Sequence, residues 1–179
     1  MPWGYSLTRP FALLMFAATP LAAQNTELGF TGGGSAFGAE DAGMPAYVTF
    51  GAEGCLRCSS GVGMFAEYSH WRLASGGRPT RITSVDMVAA GLRLQGKRRI
   101  RPFFDAGFAV GWDRFEWPVS GAGGVGMGRG SHGSPGLVLG GGVAVHAGRR
   151  WYVRPQVRVY VLRGIHAGVA ASVGAGYRF

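Results

Sequence analysis

The chain has 179 residues, 33 of them glycine, with 47% hydrophobic and 15% charged residues and 18 Lys plus Arg against 9 Asp plus Glu. That length allows one domain with a sizeable core. Glycine spread without a three-residue period excludes collagen, the apolar content excludes plain disorder, and no apolar run of roughly 18 or more residues follows the N-terminus to make a membrane helix.

Residues 1–23 read as a secretory signal. Arg9 and the free amine form a weakly positive start, and Phe11 to Ala18 is an apolar run of h-region length. Pro10 and Pro20 bracket the run and leave too few residues for a buried helix. Leu21-Ala22-Ala23 offers a small-residue cleavage site before Gln24. The reading is an exported protein whose mature domain spans residues 24–179.

From there apolar residues recur at every second position, broken by turn residues, and no 3.6-residue stripe appears. Eight strands are predicted in order: Glu27–Ala36, Ala46–Glu53, Val62–Trp71, Thr83–Gln95, Arg101–Arg114, Leu137–Ala147, Trp151–Leu162 and His166–Phe179. About 20 residues per strand and connection is what an eight-stranded transmembrane barrel requires. Gly54–Gly61, Gly96–Ile100 and Gly148–Arg150 form short turns at one end. Phe37–Pro45, Arg72–Ile82, Glu116–Gly136 and a tight turn at Arg163-Gly164 lie at the other. Short periplasmic turns and longer outer loops are the asymmetry of outer-membrane barrels.

Side-chain alternation assigns the faces. Trp151, Val153, Pro155, Val157, Val159 and Val161 would meet lipid, while Tyr152, Arg154, Gln156, Arg158 and Tyr160 point into the lumen. Along the last strand the valines and alanines face out, and Gly168, Ala170, Ser172, Gly174, Gly176 and Arg178 face in. Phe104, Trp151, Tyr177 and Phe179 are placed in a periplasmic aromatic girdle. Tyr68 and Trp112, with Trp117 beside them, form the outer one.

An eight-stranded barrel is filled by side chains. Arg93, Arg154 and Arg158 are predicted to reach Glu53, Glu67 and Asp105, with Tyr47, Gln95 and Tyr160 completing hydrogen bonds. Charges in such an enclosure must be paired or they cost several kcal/mol each. Cys55 and Cys58 fall in the first short turn. In an exported chain without a helix N-terminus they read as a disulfide staple rather than a redox pair, and two cysteines without nearby histidines are too few for structural zinc.

Ser172-Val-Gly-Ala-Gly-Tyr177-Arg-Phe179 alternates a polar residue, Gly174, Tyr177 and a terminal aromatic. It resembles the closing-strand signal of outer-membrane proteins, which the barrel assembly machinery recognises. With it, the mature chain resembles the small eight-stranded OmpA/OmpX-type barrel family in single-domain form. The resemblance implies an all-β, up-and-down antiparallel barrel in the outer membrane of a Gram-negative-type envelope, acting as a monomer, with no cofactor and no catalysis.

Two features compete with that reading. Gly121-x-Gly123-x-x-Gly126 satisfies a dinucleotide pattern, but no helix follows it, so the segment reads as a mobile glycine loop. Ser131-His132-Gly133-Ser134 resembles the His-x-Ser pair of outer-membrane lipid A deacylases. That family's following asparagine is Pro135 here, and its acidic position is His146. The four histidines, His70, His132, His146 and His166, are dispersed and read as rim residues. Basic residues gather in the periplasmic turns (Lys97, Arg98, Arg99, Arg101, Arg149, Arg150) and the outer loops (Arg72, Arg78, Arg81, Arg129). Export and the lack of a binding module argue against nucleic acid. Such charge suits phospholipid headgroups below and lipopolysaccharide phosphates above. The function expected is structural or surface-interacting: envelope integrity, adhesion, or lipopolysaccharide or host contact through the loops. A lipid A-modifying enzyme using His132 and Ser134, a narrow solute channel and a soluble periplasmic ligand-binding barrel are the alternatives.

Overall fold

The computed structural model describes residues 26–39, 45–58, 61–74, 81–97, 99–121, 124–163 and 166–179. The expected signal and cleavage site, Arg78, Arg98 and Gly164 lie outside them. Eight strands run β1 (Thr26–Ala39), β2 (Ala46–Leu56), β3 (Val62–Leu73), β4 (Arg81–Gln95), β5 (Ile100–Gly121), β6 (Gly124–Ala147), β7 (Trp151–Leu162) and β8 (His166–Arg178). Each pairs antiparallel with its neighbours in sequence, and β8 closes on β1.

The pairing fixes the barrel's shape. From Gly29, the partners run Glu53, Glu67, Ala89, Ala109, Gly136, Leu162 and His166, and the circuit returns to β1 at Ala39, ten residues further along. A stagger of that size over eight strands inclines them by about 40° to the axis. The interior is then just wide enough for side chains to fill.

The predicted facing holds. β7 alternates exposed and buried along its whole length, with valines outside and Tyr152, Arg154, Gln156, Arg158 and Tyr160 inside. Outside, Phe30 is 77% exposed and Phe108 75%. With Phe50, Leu92, Leu137, Leu139 and Val173 they make a continuous apolar wall that water would penalise and acyl chains would not. Lumen glycines leave room for large neighbours: a Cβ on Gly140 would lie 2.6 Å from Cγ of Arg158, and one on Gly176 2.3 Å from the Tyr152 hydroxyl oxygen. Small opposite large is how a narrow barrel fills its bore.

Two sequence expectations need correction. The expected loop Glu116–Gly136 is strand over its described residues: β5 and β6 continue as a paired hairpin arm up to Gly121 opposite Gly124. Glycine's poor strand propensity argues for a loop, but Gly128 and Gly130 lie under Trp117 and Phe115 of β5, and Gly133, on the other side of β6, lies against Trp112. Trp117 accordingly belongs to this arm and not to the outer girdle.

Below the barrel, Cys55 and Cys58 are bonded, with Cα atoms 5.9 Å apart and both residues buried. The intervening Arg57 holds a left-handed φ of 59°, a conformation that costs a non-glycine residue on the order of 1 kcal/mol. The staple restrains that turn. Replacing both cysteines with serine is expected to lower stability by about 2 kcal/mol, the chain-entropy value for so short a loop. Urea midpoints of the refolded protein check this, and an unchanged midpoint contradicts it.

Candidate functional site

The inner half of the lumen is an ionic layer. Among the described residues three arginines meet four carboxylates. Arg93 grips Asp105 with two bonds of 2.7 and 2.8 Å, from the facing positions of β4 and β5. Arg154 of β7 bonds Glu53 and, at 2.5 Å, Glu27. Arg158, two inward positions further on, reaches Glu53 at 3.2 Å, Asp105 at 2.9 Å and Glu67. Glu53 and Glu67 stand directly opposite on β2 and β3, so their repulsion is bridged by arginine from the far wall. Tyr160 donates to Glu67 at 3.3 Å. Aromatic faces sandwich the cations: Arg93 lies 4.5 Å from the Phe103 ring centre and Arg154 4.4 Å from that of Tyr152.

The structure brings Glu53, Glu67, Arg93, Asp105, Arg154, Arg158 and Tyr160 together here. Glu27 is the member that the sequence reading missed. It sits at the start of β1, where a rim carboxylate facing solvent is the natural expectation, yet it is 1% exposed. Its inward parity with Gly29 and Thr31 was the available signal. Two auxiliary assignments are corrected. Tyr47 donates at 3.2 Å to the Ile82 carbonyl near the other end of the barrel, since it lies six residues along β2 from Glu53 and cannot span that height. Among the described residues Gln95 has no hydrogen-bond partner for its amide, because it lies two positions below Arg93 on the inward face of β4.

The outer half of the lumen is apolar. Phe37, Tyr47, Trp71, Val85, Met87, Tyr160 and Leu162 form one buried cluster. Trp71 is edge-on to Phe37 and Tyr160, at 6.0 and 5.4 Å between ring centres. Among the described residues an apolar plug thus lies above a layer of paired charges.

Just above the plug, Ser134 and His132 of β6 face Gly111 and Asp113 of β5. The Ser134 hydroxyl is 3.0 Å from His132 Nδ1, and Asp113 Oδ1 is 4.0 Å from the same nitrogen. A serine-hydrolase relay needs one ring nitrogen for the serine and the other for the acid. Here both partners approach Nδ1. The pair is also on the inner side of β6, away from acyl chains.

The exterior carries one polar cluster that the sequence reading did not single out. Asp86 of β4 accepts from the Tyr68 hydroxyl at 2.7 Å, contacts His70 Nδ1 at 2.7 Å, and accepts from Arg114 at 3.2 Å. Tyr68 thus faces outward as expected, tied to a carboxylate, with Trp112 opposite Asp86 on β5. At the other end Trp151, Tyr177 and Phe179 form an edge-to-face ladder with 5.1 Å between successive ring centres, and Arg150 donates to the Tyr177 hydroxyl at 2.7 Å. Phe104 is half-exposed on the same outer surface. Ser172 accepts from Gln156 at 3.3 Å and Gly174 lies against Thr31, so the C-terminal segment is the closing strand, paired to both β7 and β1. A recess of about 490 Å³ lies on the lipid side of β1, β6, β7 and β8, lined by Gly32, Gly141, Val143, Pro155 and Val157 among others.

No family model matches the sequence, and no curated protein does. Solved structures match in shape. Neisserial surface protein A has a TM-score of 0.68 at 12% identity, covering 86% of this chain and 97% of its own. Ail, the attachment invasion locus protein of Yersinia pestis, has 0.61 at 15% identity, covering 87% and 97%. The N-terminal β-barrel domain of Pseudomonas aeruginosa OprF has 0.59 at 11% identity, covering 87% and 98%. Identities this low speak for the fold alone. The chain has the fold of the small eight-stranded outer-membrane barrels.

Proposed function

We propose that the protein is a non-conducting, non-catalytic outer-membrane barrel of a Gram-negative-type envelope that acts by surface contact. The observation that carries this is the lumen, filled by an apolar plug over a paired ionic layer. With the bore closed, the parts left to meet a partner are the outer loops and the β5–β6 arm. Ail, of the same fold, is by name an attachment invasion locus protein, which supports adhesion as the kind of contact. Arg72 and Arg114 near the outer rim suit lipopolysaccharide phosphates, and Arg149 and Arg150 suit phospholipid headgroups below. The Tyr177 and Phe179 end would serve the barrel assembly machinery during insertion, and the barrel would work as a monomer.

The test is fractionation with gel mobility. The mature protein is expected in the outer-membrane fraction, migrating differently in SDS before and after boiling, with planar-bilayer conductance at background. Recovery in the soluble periplasm without a mobility shift would overturn the membrane reading. Stable single-channel steps would overturn the closed lumen.

A further inference from the structure

We propose that the lumen-side face of the β5–β6 arm is a binding platform for a neutral oligosaccharide, formed by Phe115 and Trp117 lying on a glycine ladder beside Asp113, His132 and Ser134. The inference rests on the surface-contact reading and gives it a site and a ligand class. Cross-strand pairs define one face of the arm: Gly111 with Ser134, Asp113 with His132, Phe115 with Gly130, Trp117 with Gly128 and Val119 with Gly126. Three successive glycines on β6 therefore oppose three successive large apolar residues on β5. Two of them have no room for a side chain. A Cβ on Gly128 would lie 2.6 Å from Cε2 of Trp117, and one on Gly130 2.8 Å from Cζ of Phe115. The rings lie down over the backbone of β6, and both residues stay partly exposed. Their centres are 5.4 Å apart and their planes 30° apart, which sets two tilted aromatic rings next to each other.

The C–H faces of successive pyranose rings stack on such a surface, and their spacing along a chain suits two rings so placed. One residue pair further down, the same face changes from apolar to polar. The Asp113 carboxylate, with 11% of its side chain exposed, can accept from a sugar hydroxyl, and the His132 side chain is 62% exposed. Apolar stacking with a few convergent polar groups is the usual make-up of a small-ligand site. The carboxylate favours a neutral sugar over a phosphorylated or carboxylated one. Arg129, the nearby cation, is on the opposite face and is held by Glu116 at 2.9 Å. An acyl chain is disfavoured, because on the outer side of β5 the apolar wall gives way after Trp112 to Arg114 and Glu116.

The test uses the full mature barrel refolded in detergent micelles, applied to a printed array of neutral and anionic oligosaccharides, with the best neutral hit then titrated. Trp117→Ala and Gly128→Ala, which lifts the indole, are each expected to weaken binding about tenfold, the loss of one good aromatic contact. Met127→Ala is the control, since that side chain lies on the opposite face of β6 and is 55% exposed, and it is expected to bind like the parent. Heat-modifiable mobility in all variants confirms that each has folded. Binding confined to anionic sugars, no array binding by the folded parent, or undiminished binding by Trp117→Ala would each overturn the platform. Attachment of whole cells separates this from the broader reading. If cells bearing the parent attach and cells bearing Trp117→Ala attach equally, the platform fails and surface contact stands. If the parent never reaches the cell surface, both fail.

Discussion

Replacing Arg154 with methionine is expected to destabilise the barrel by about 3–5 kcal/mol, the range for breaking a buried ion pair by removing one partner. The side chain is 1% exposed and joins Glu27 to Glu53. Without it two guanidiniums would face four carboxylates in an enclosure that water enters poorly. Methionine fills much of the volume, so the loss reports charge and not a cavity. Urea unfolding of the refolded protein, followed by fluorescence and by mobility in SDS, measures it. Adding Glu27→Gln to the variant removes one uncompensated charge and is expected to recover part of the loss. The coupling between the two sites then falls within the roughly 0.5–3 kcal/mol typical of residues in one network. A variant within about 1 kcal/mol of the parent would contradict a dry ionic layer, since exposed pairs are worth no more than that.

Trp71→Ala is expected to cost about 3–5 kcal/mol by a different route, the cavity left when a large core side chain is removed. Trp71 is fully buried, its indole N–H donates to Ser69 at 3.0 Å, and Gly168 of the opposite wall is shaped to it, a Cβ there lying 2.9 Å from the indole. Conductance is nevertheless expected to stay at background, because the ionic layer below remains paired. Current through Trp71→Ala would mean that the plug alone seals the bore. Trp151→Ala is the comparison: that side chain is 61% exposed on the lipid face and its loss removes an interfacial contact without opening a cavity, so it should cost far less.

The strand count, the antiparallel closure and the inward or outward facing of β7 and β8 were legible in the sequence. A half-buried strand imposes a period of two on polarity, and a one-residue slip would turn every side chain to the wrong face. The same parity placed Glu53, Glu67, Arg93, Asp105, Arg154, Arg158 and Tyr160 on the lumen side. Cys55 and Cys58 were close enough in sequence for their bond to be local.

What the sequence left open was everything that depends on height and on the opposite wall. Glu27 joins the ionic layer because the ten-residue stagger brings the start of β1 level with Arg154, a relation between residues 127 positions apart. Tyr47 and Gln95 share the inward parity yet stand above and below the charges, and parity carries no height. The glycine segment was misread for a related reason. Intrinsic propensity counts glycine against a strand, and only the register that sets Trp117 over Gly128 and Phe115 over Gly130 supplies the missing cross-strand contact. Alternation is a property of one chain segment, so sequence alone determines it. Stagger and cross-strand cover are relations between segments, and they exist only once the barrel has closed.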